Sequence, residues 1–113
     1  MRTSLGIWAF GTMATRFVPG GYKPEFAGDT TVERVARAVE GLEGLIDDYE
    51  FHYPQELSPA NLDEVRGVLG EHGIYTICSG LHLDPRFGRG GLCSPDPAIR
   101  AEAVRQTLDA AAS

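Results

Sequence analysis

Short apolar runs alternate with helically spaced apolar residues along this chain. Residues 4–10 form a nearly continuous apolar run, which predicts a strand buried on both faces. Residues 45–51, with interleaved acidic residues, and residues 74–79, rich in β-branched residues, predict two more strands. The helical stripes are Val32, Val35, Ala36, Val39 and Leu42, then Leu62, Val65 and Leu69, then Ile99, Ala103, Val104 and Leu108. This order predicts βαβ units with a parallel sheet.

Capping residues predict where the three helices begin and end. The start signals are the capping box of Thr30 and Glu33, and the pairs Ser58-Pro59 and Asp96-Pro97. The stop signals are Gly41 with Gly44 for the first helix and Gly73 for the second.

Loop lengths predict which end of the sheet is functional. Residues 11–29 and 80–95, which connect a strand to a helix, are long and carry aromatic, His, Gly and Pro residues, whereas the helix-to-strand turns are short. Ligands of parallel α/β folds bind at the carboxyl ends of the strands. His52 closes the second predicted strand just before Pro54 and is therefore expected at this end. From its spacing alone, His52 is either a structural residue bonded to backbone or a catalytic one.

Composition and charge exclude several classes of partner. The chain has 113 residues, 42% of them apolar, and its 10 basic and 16 acidic residues give a net charge of -6. This balance argues against a nucleic-acid or anionic-membrane surface and favours a small neutral substrate. No apolar run approaches the ~18 residues of a membrane span, and none resembles a signal peptide, so we expect a cytoplasmic protein. Cys78 and Cys93 are expected to be reduced.

The chain is short for the architecture that its pattern suggests. A (β/α)₈ barrel needs ~250 residues, and three βα units cannot close a ring. We therefore expect the front part of a larger barrel that is truncated, cleaved or completed by another chain. A small three-stranded doubly wound domain is the alternative.

Three segments resemble the xylose isomerase family of sugar isomerases. Residues 6–11, Gly-Ile-Trp-Ala-Phe-Gly, resemble the family's first strand, and Phe51-His52 resembles its catalytic histidine. Residues 85–96 resemble its Pro-x-Phe-x-x-Gly-Gly loop, which leads into an Arg-rich helix like residues 99–105. The resemblance implies an α/β fold in which residues 1–113 are the first three βα units of a (β/α)₈ TIM barrel, the N-terminal portion of a single domain.

The implied activity is metal-dependent aldose–ketose isomerisation of a sugar. His52 would open the sugar ring by moving a proton between the anomeric hydroxyl and the ring oxygen. A divalent metal (Mg, Mn or Co) would then assist a hydride shift between C1 and C2. The family takes its metal ligands from later strands, so no metal ligand is expected within this chain.

The resemblance also suggests roles for four pocket residues, each with a structural alternative. Trp8 would wall the sugar pocket or belong to the core, and His82 would contact substrate or be an exposed loop residue. Phe87 would contact substrate or, as we favour, anchor its loop. Phe26 would reach into a neighbouring subunit's site, which implies a homo-oligomer (dimer or tetramer), or pack under its own loop.

The partner of the histidine departs from the family pattern. The family commonly has an Asp three residues after this histidine, whereas this chain has Gln55 at that position and Glu56 one residue later. Either side chain could orient His52, and the substrate could differ from xylose. Asp47, Asp48 and Glu50 precede the functional end of the strand and are expected to be solvated or salt-bridged.

Other functions stay open at this point. A sugar epimerase or a hydroxypyruvate-type isomerase of the same barrel group could use the same histidine, because fold and one pocket residue do not determine the reaction. A non-catalytic half-barrel that binds sugar or a partner chain is the third possibility.

Overall fold

The protein is an α/β structure with a three-stranded parallel sheet and three helices, as the apolar pattern predicted. A computed structural model describes residues 1–14 and 17–113; Thr15 and Arg16, in the first long loop, lie outside the described residues. The strands are β1 (Ser4–Gly6), β2 (Asp48–Tyr53) and β3 (Gly73–Ser79), in the spatial order β1-β2-β3. The helices are α1 (Thr31–Gly41), α2 (Leu62–Leu69) and α3 (Pro97–Ala112).

The first strand is shorter than predicted. β1 ends at Gly6, and residues Ile7–Phe10, predicted to continue it, form a one-turn 3₁₀ helix. This turn folds the Trp8 indole back over Gly6, where a Cβ atom would lie 2.2 Å from Trp8 Cζ2. The glycine therefore permits the close approach of the ring, and the apolar run divides into a strand and a turn.

The second strand begins later and ends later than predicted. Residues 45–47 precede β2, because the Asp47 amide bonds to the Thr3 carbonyl before the ladder with β1 starts at Asp48. At the other end, the amides of Glu56 and Leu57 both donate to the His52 carbonyl and turn the chain away. His52 is thus the penultimate residue of β2 rather than its last residue, as predicted from the sequence.

Two of the three helix starts follow the predicted caps. Thr30 accepts from the Glu33 amide (3.1 Å) while the Glu33 carboxylate accepts from the Thr30 amide (2.8 Å), which completes the capping box. Asp96 accepts from the Ala98 amide (2.8 Å) at the start of α3. No helix in the described part of the chain is long and apolar enough to cross a membrane.

The limits of α2 differ from the prediction at both ends. The helix starts at Leu62, not at Ser58-Pro59, because Asn61 Oδ1 accepts from the Ser58 amide (2.9 Å) and closes a separate turn before the helix. It ends at Gly70, whose φ of 61° suits glycine, so the predicted C-cap Gly73 is instead the first residue of β3.

Two helical stripes were partly wrong. In α3, Val104 and Leu108 are exposed, and the buried positions are Ala103, Gln106 and Ala110. Gln106 Nε2 donates to the Tyr53 carbonyl (3.3 Å). A polar side chain therefore lies on the buried face of α3, although the apolar spacing had predicted a face of apolar residues only. In α1, Ala36 is exposed and Ala38 is buried instead.

The core lies on one face of the sheet. Tyr49 and Phe51 of β2 point to this face and pack with residues of α1, α2 and the adjoining turns: Ile7, Val35, Ala38, Leu57, Val65 and Leu69. Because side chains alternate along a strand, Glu50 and His52 point to the opposite face. The register brings Thr76 beside Glu50 and Cys78 beside His52, and Ser4 Oγ donates to Glu50 (2.5 Å). We call Ser4, Glu50, His52, Thr76 and Cys78 the polar face.

Candidate functional site

Three predicted site residues meet at the carboxyl ends of the strands. Trp8 lies in the turn after β1, His52 near the end of β2, and His82 in the 3₁₀ turn Leu81–Leu83 after β3. The ring centroids of Trp8 and His52 are 4.4 Å apart, and those of His52 and His82 are 5.2 Å apart. All three side chains line an open cavity of about 520 Å³. This is the arrangement expected for a ligand site of a parallel α/β fold.

Glu56, rather than Gln55, is the partner of His52. Glu56 Oε2 accepts from the His52 backbone amide (2.8 Å) and lies 3.1 Å from His52 Nδ1. Gln55 turns away and donates from Nε2 to the Gly80 carbonyl (3.1 Å). Glu56 reaches the ring because the turn after β2 brings its amide back to the His52 carbonyl.

The Glu56 contact determines which ring nitrogen a ligand can meet. An ionised carboxylate only accepts hydrogen bonds, so Nδ1 carries the proton of the neutral imidazole. Nε2 then keeps its lone pair and has no protein partner among residues 1–14 and 17–113. A nitrogen with a free lone pair in a cavity can act as a general base, and its conjugate acid can return the proton.

Arg34 is a site residue that sequence reasoning missed. It extends from the first turn of α1 into the cavity wall, and its Nη1 donates to Glu56 Oε1 (3.4 Å). The flat guanidinium lies against Gly11, where a Cβ atom would come within 3.2 Å of Arg34 Cζ. The one sequence signal was a cation near a helix N-terminus, where the helix dipole disfavours positive charge.

The loop that carries His82 is held by ion pairs. Asp84 accepts from the Arg86 amide (2.9 Å) and from Arg86 Nη2 (2.7 Å), and this guanidinium lowers the pKa of Asp84. Arg86 Nη1 also reaches Glu102 of α3 (3.3 Å). Phe87 is only 6% exposed and does not line the cavity, which matches the alternative in which it anchors its loop.

Phe26 packs within its own chain. Arg37 Cζ lies 4.1 Å from the centre of the Phe26 ring, and Arg37 Nη2 also bonds to Asp29 (2.6 Å) and to the Phe10 carbonyl (2.9 Å). Phe26 does not line the cavity. These contacts match the alternative in which it packs under its own loop, and they give no support to a site shared between subunits.

The described residues do not fit a resident metal. Residues 1–14 and 17–113 contain no group of three or more His, Cys, Asp or Glu side chains that could hold a metal ion. Three acidic residues of the β2 region have other partners. Asp47 accepts from the Thr3 amide (2.7 Å), Asp48 pairs with Arg2 (2.6 Å), and Glu50 accepts from Ser4. The Arg2 guanidinium lowers the pKa of Asp48.

No protein-family model and no curated protein matches this chain. The resemblance to the xylose isomerase family therefore stays a prediction that depends on the three segments named above.

Proposed function

We propose that this chain supplies the ring-opening part of a sugar isomerase of the xylose isomerase type. The observation that carries the proposal is the His52 ring, which lies in the cavity between Trp8 and His82 with Nδ1 facing the carboxylate of Glu56. A histidine fixed in one tautomer, with its second nitrogen available to a ligand, suits proton transfer near neutral pH.

The proton transfer uses only groups of this chain and the sugar. Nε2 of His52 accepts the proton of the anomeric hydroxyl, and the electrons of that O–H bond form the C1=O double bond. The bond between C1 and the ring oxygen breaks, and the ring oxygen takes the proton back from the imidazolium. Glu56 stabilises the transient imidazolium through Nδ1–H (3.1 Å), so the histidine returns to its starting form.

Trp8 gives the cavity an apolar wall. Its ring is tilted 51° to that of His52, and the side chain is 38% exposed towards solvent and cavity. A flat indole can pack against the C–H groups of a sugar while hydroxyls meet the polar groups. The wall would also reduce water at the carbon that becomes an open aldehyde.

The sheet supports the proposed barrel. The strands are parallel and follow one another in spatial order, an order found both in a (β/α)₈ barrel and in the first half of a doubly wound sheet. Residues of α1 and α2 pack against the Tyr49 and Phe51 face, and the polar face is left for an interior. In a (β/α)₈ barrel the helices form an outer ring in this way, and the site lies at the carboxyl ends of the strands.

The hydride shift of such isomerases depends on groups other than the described ones. A divalent metal such as Mg, Mn or Co would polarise the carbonyl of the open-chain sugar when bound. Its ligands would have to come from outside residues 1–14 and 17–113.

Ring opening can be tested without the isomerisation step. We expect the protein that carries this chain to accelerate the interconversion of α and β anomers of an aldopentose, followed by NMR exchange spectroscopy. His52→Asn should abolish the acceleration, because the amide cannot shuttle the proton. His72→Asn is the matched control, since His72 packs edge-on against Tyr49 and lines a different cavity. Aldose–ketose or anomer exchange that survives His52→Asn or His52→Ala in a folded protein would disprove the role of His52.

One observation favours a second candidate within the same class. Glu56 lies one residue later than the Asp of the family, and its side chain is one methylene longer. The His52 ring can therefore have a different orientation relative to the substrate. An epimerase or a hydroxypyruvate-type isomerase would fit such a change. Product analysis with aldoses, their epimers and hydroxypyruvate would separate these reactions. Sugar binding without any turnover would indicate the non-catalytic half-barrel.

A further inference from the structure

We infer that Arg34 is a positioning residue that fixes the tautomer of His52 by acting through Glu56. Arg34 Nη1 donates to Glu56 Oε1 (3.4 Å), while Glu56 Oε2 faces His52 Nδ1 (3.1 Å). One carboxylate thus joins a permanent cation to the ring. The consequence for catalysis rests on the proposed function, but the effect on the ring does not.

The carboxylate needs this cation because of its surroundings. The side chains of Arg34, Glu56 and His52 are only 18%, 9% and 13% exposed. A guanidinium attracts a carboxylate more strongly in such surroundings than at the surface, because less water screens the two charges. An ionised Glu56 can only accept a hydrogen bond and so keeps the proton on Nδ1. Without the cation at Oε1, the Oε2 atom is held less firmly at Nδ1. The ring proton can then move to Nε2, which removes the free lone pair.

No other fixed cation of the described residues takes part in this arrangement. Arg34 is the one Lys or Arg that lines the cavity in the described part of the chain. The other groups that face His52 are Trp8 and His82 across the cavity, and Cys78 beside it in the register of β3. Neither Trp8 nor Cys78 carries a positive charge, and His82 is charged only when protonated.

The first loop is shaped to admit the guanidinium. Gly11 lies against it, since a Cβ atom there would be 3.2 Å from Arg34 Cζ and 3.4 Å from Nη2. Arg34 Nε is buried and has no hydrogen-bond partner within residues 1–14 and 17–113. Among the described residues, the Arg34 side chain therefore donates its hydrogen bond to Glu56 and not to the first loop.

Arg37 provides a matched control on the same helix. It lies three residues after Arg34 but binds Asp29 (2.6 Å) and the Phe10 carbonyl (2.9 Å), with no contact to Glu56. Loss of Arg37 would test for a general effect of removing an arginine from α1. The Arg37 substitution should leave the tautomer of His52 unchanged.

The test is the tautomer of His52 in the protein without substrate. The two ring nitrogens give separate signals in ¹H–¹⁵N NMR spectra of ¹⁵N-histidine-labelled protein, recorded at about pH 8, where unperturbed imidazole is neutral. We expect the Nδ1–H form to dominate in the parent protein. Arg34→Gln should lower the ratio of Nδ1–H to Nε2–H by on the order of fivefold, as a charge-assisted hydrogen bond weakens. Arg34→Lys should restore part of the ratio, and Arg37→Gln should not change it.

The outcomes separate this inference from the proposed function. A folded Arg34→Gln variant with the parent tautomer ratio would overturn the role of Arg34, whatever the activity. If Arg34→Gln does not fold, Arg34→Met replaces it, because the unbranched side chain keeps the apolar part of the arginine without its charge, and an unchanged ratio there would also overturn the inference. A shifted ratio in a protein that opens no sugar ring would refute the proposed function alone.

Discussion

Gly6→Ala should move one wall of the candidate site while leaving the fold in place. The new Cβ would lie 2.2 Å from Trp8 Cζ2 and 2.3 Å from Trp8 Cε2, far inside van der Waals contact. The backbone of Gly6, at φ −72° and ψ 122°, is one that alanine adopts without strain. The three atoms nearest to the new Cβ all belong to the indole, which has to swing away from Gly6 and hence from the His52 ring, whose centroid is 4.4 Å from its own.

Opposing terms keep the expected change in stability small. Loss of an aromatic pair costs about 0.5–1.5 kcal/mol beyond the area buried. Replacing a glycine in a compatible conformation gains about 0.4–1 kcal/mol, because the unfolded chain loses freedom. Trp8 is already 38% exposed, so the ring can move outward without opening the core. We expect a net destabilisation of about 1 kcal/mol or less.

Tryptophan fluorescence reports this movement directly, because Trp8 is the single tryptophan of the chain. Indole emission moves to longer wavelength as the ring becomes more exposed to water, so Gly6→Ala should shift the emission maximum of the folded protein to longer wavelength. Gly67→Ala is the control, since a Cβ there meets nothing within 4 Å and alanine favours α2. A folded Gly6→Ala protein with the parent emission maximum would show that Gly6 does not hold Trp8 against His52.

Two further predictions concern the two ends of β2. Asp48→Asn should lower the free energy of unfolding at neutral pH, because Arg2 lowers the pKa of Asp48 in the folded state. The stabilisation by Asp48 is fully present above the ordinary aspartate pKa and disappears as pH falls through the lowered pKa. Unfolding followed by circular dichroism should then show that the stabilities of the parent and Asp48→Asn proteins become equal at low pH. A difference in stability that stays constant with pH would contradict this. Asn61→Ala should cost about 1–2 kcal/mol in urea unfolding, because Asn61 bonds to the Ser58 amide and the Glu56 carbonyl, whereas Ser58→Ala should cost little. Equal losses of stability in the two variants would favour Ser58 as the helix cap, as predicted from the sequence.

Local chemistry could be predicted from the sequence, and register-dependent features could not. The capping box at Thr30 and the Asp96-Pro97 start are both correct because each depends on residues within one turn. The start of α2 was wrong because the Asn61 side chain, rather than Ser58, organises the turn before it. The exposed Val104 shows the same limit, since the position of Gln106 depends on a carbonyl of β2.

The candidate site could also be predicted only in part from the sequence. Trp8, His52 and His82 could be placed together from the sequence, because the carboxyl ends of adjacent parallel strands meet at one edge of the sheet. The choice of Glu56 over Gln55 depends on the turn that brings the Glu56 amide to the His52 carbonyl, which no periodicity reveals. Arg34 was missed because its contact with Glu56 crosses 22 residues of the chain.

The alternation along β2 limits what can cover the sheet. A central parallel strand is usually apolar on both faces, but here Tyr49 and Phe51 are buried while Glu50 and His52 lie on the polar face. Among the described residues, the Glu50 carboxylate has only the Ser4 hydroxyl as a hydrogen-bond partner. A second layer of helices, as in a doubly wound sheet, would bury that charge without a counter-ion, at a cost of several kcal/mol. The polar face is therefore suited to water, to a ligand or to the polar interior of the proposed barrel, and not to an apolar helix layer.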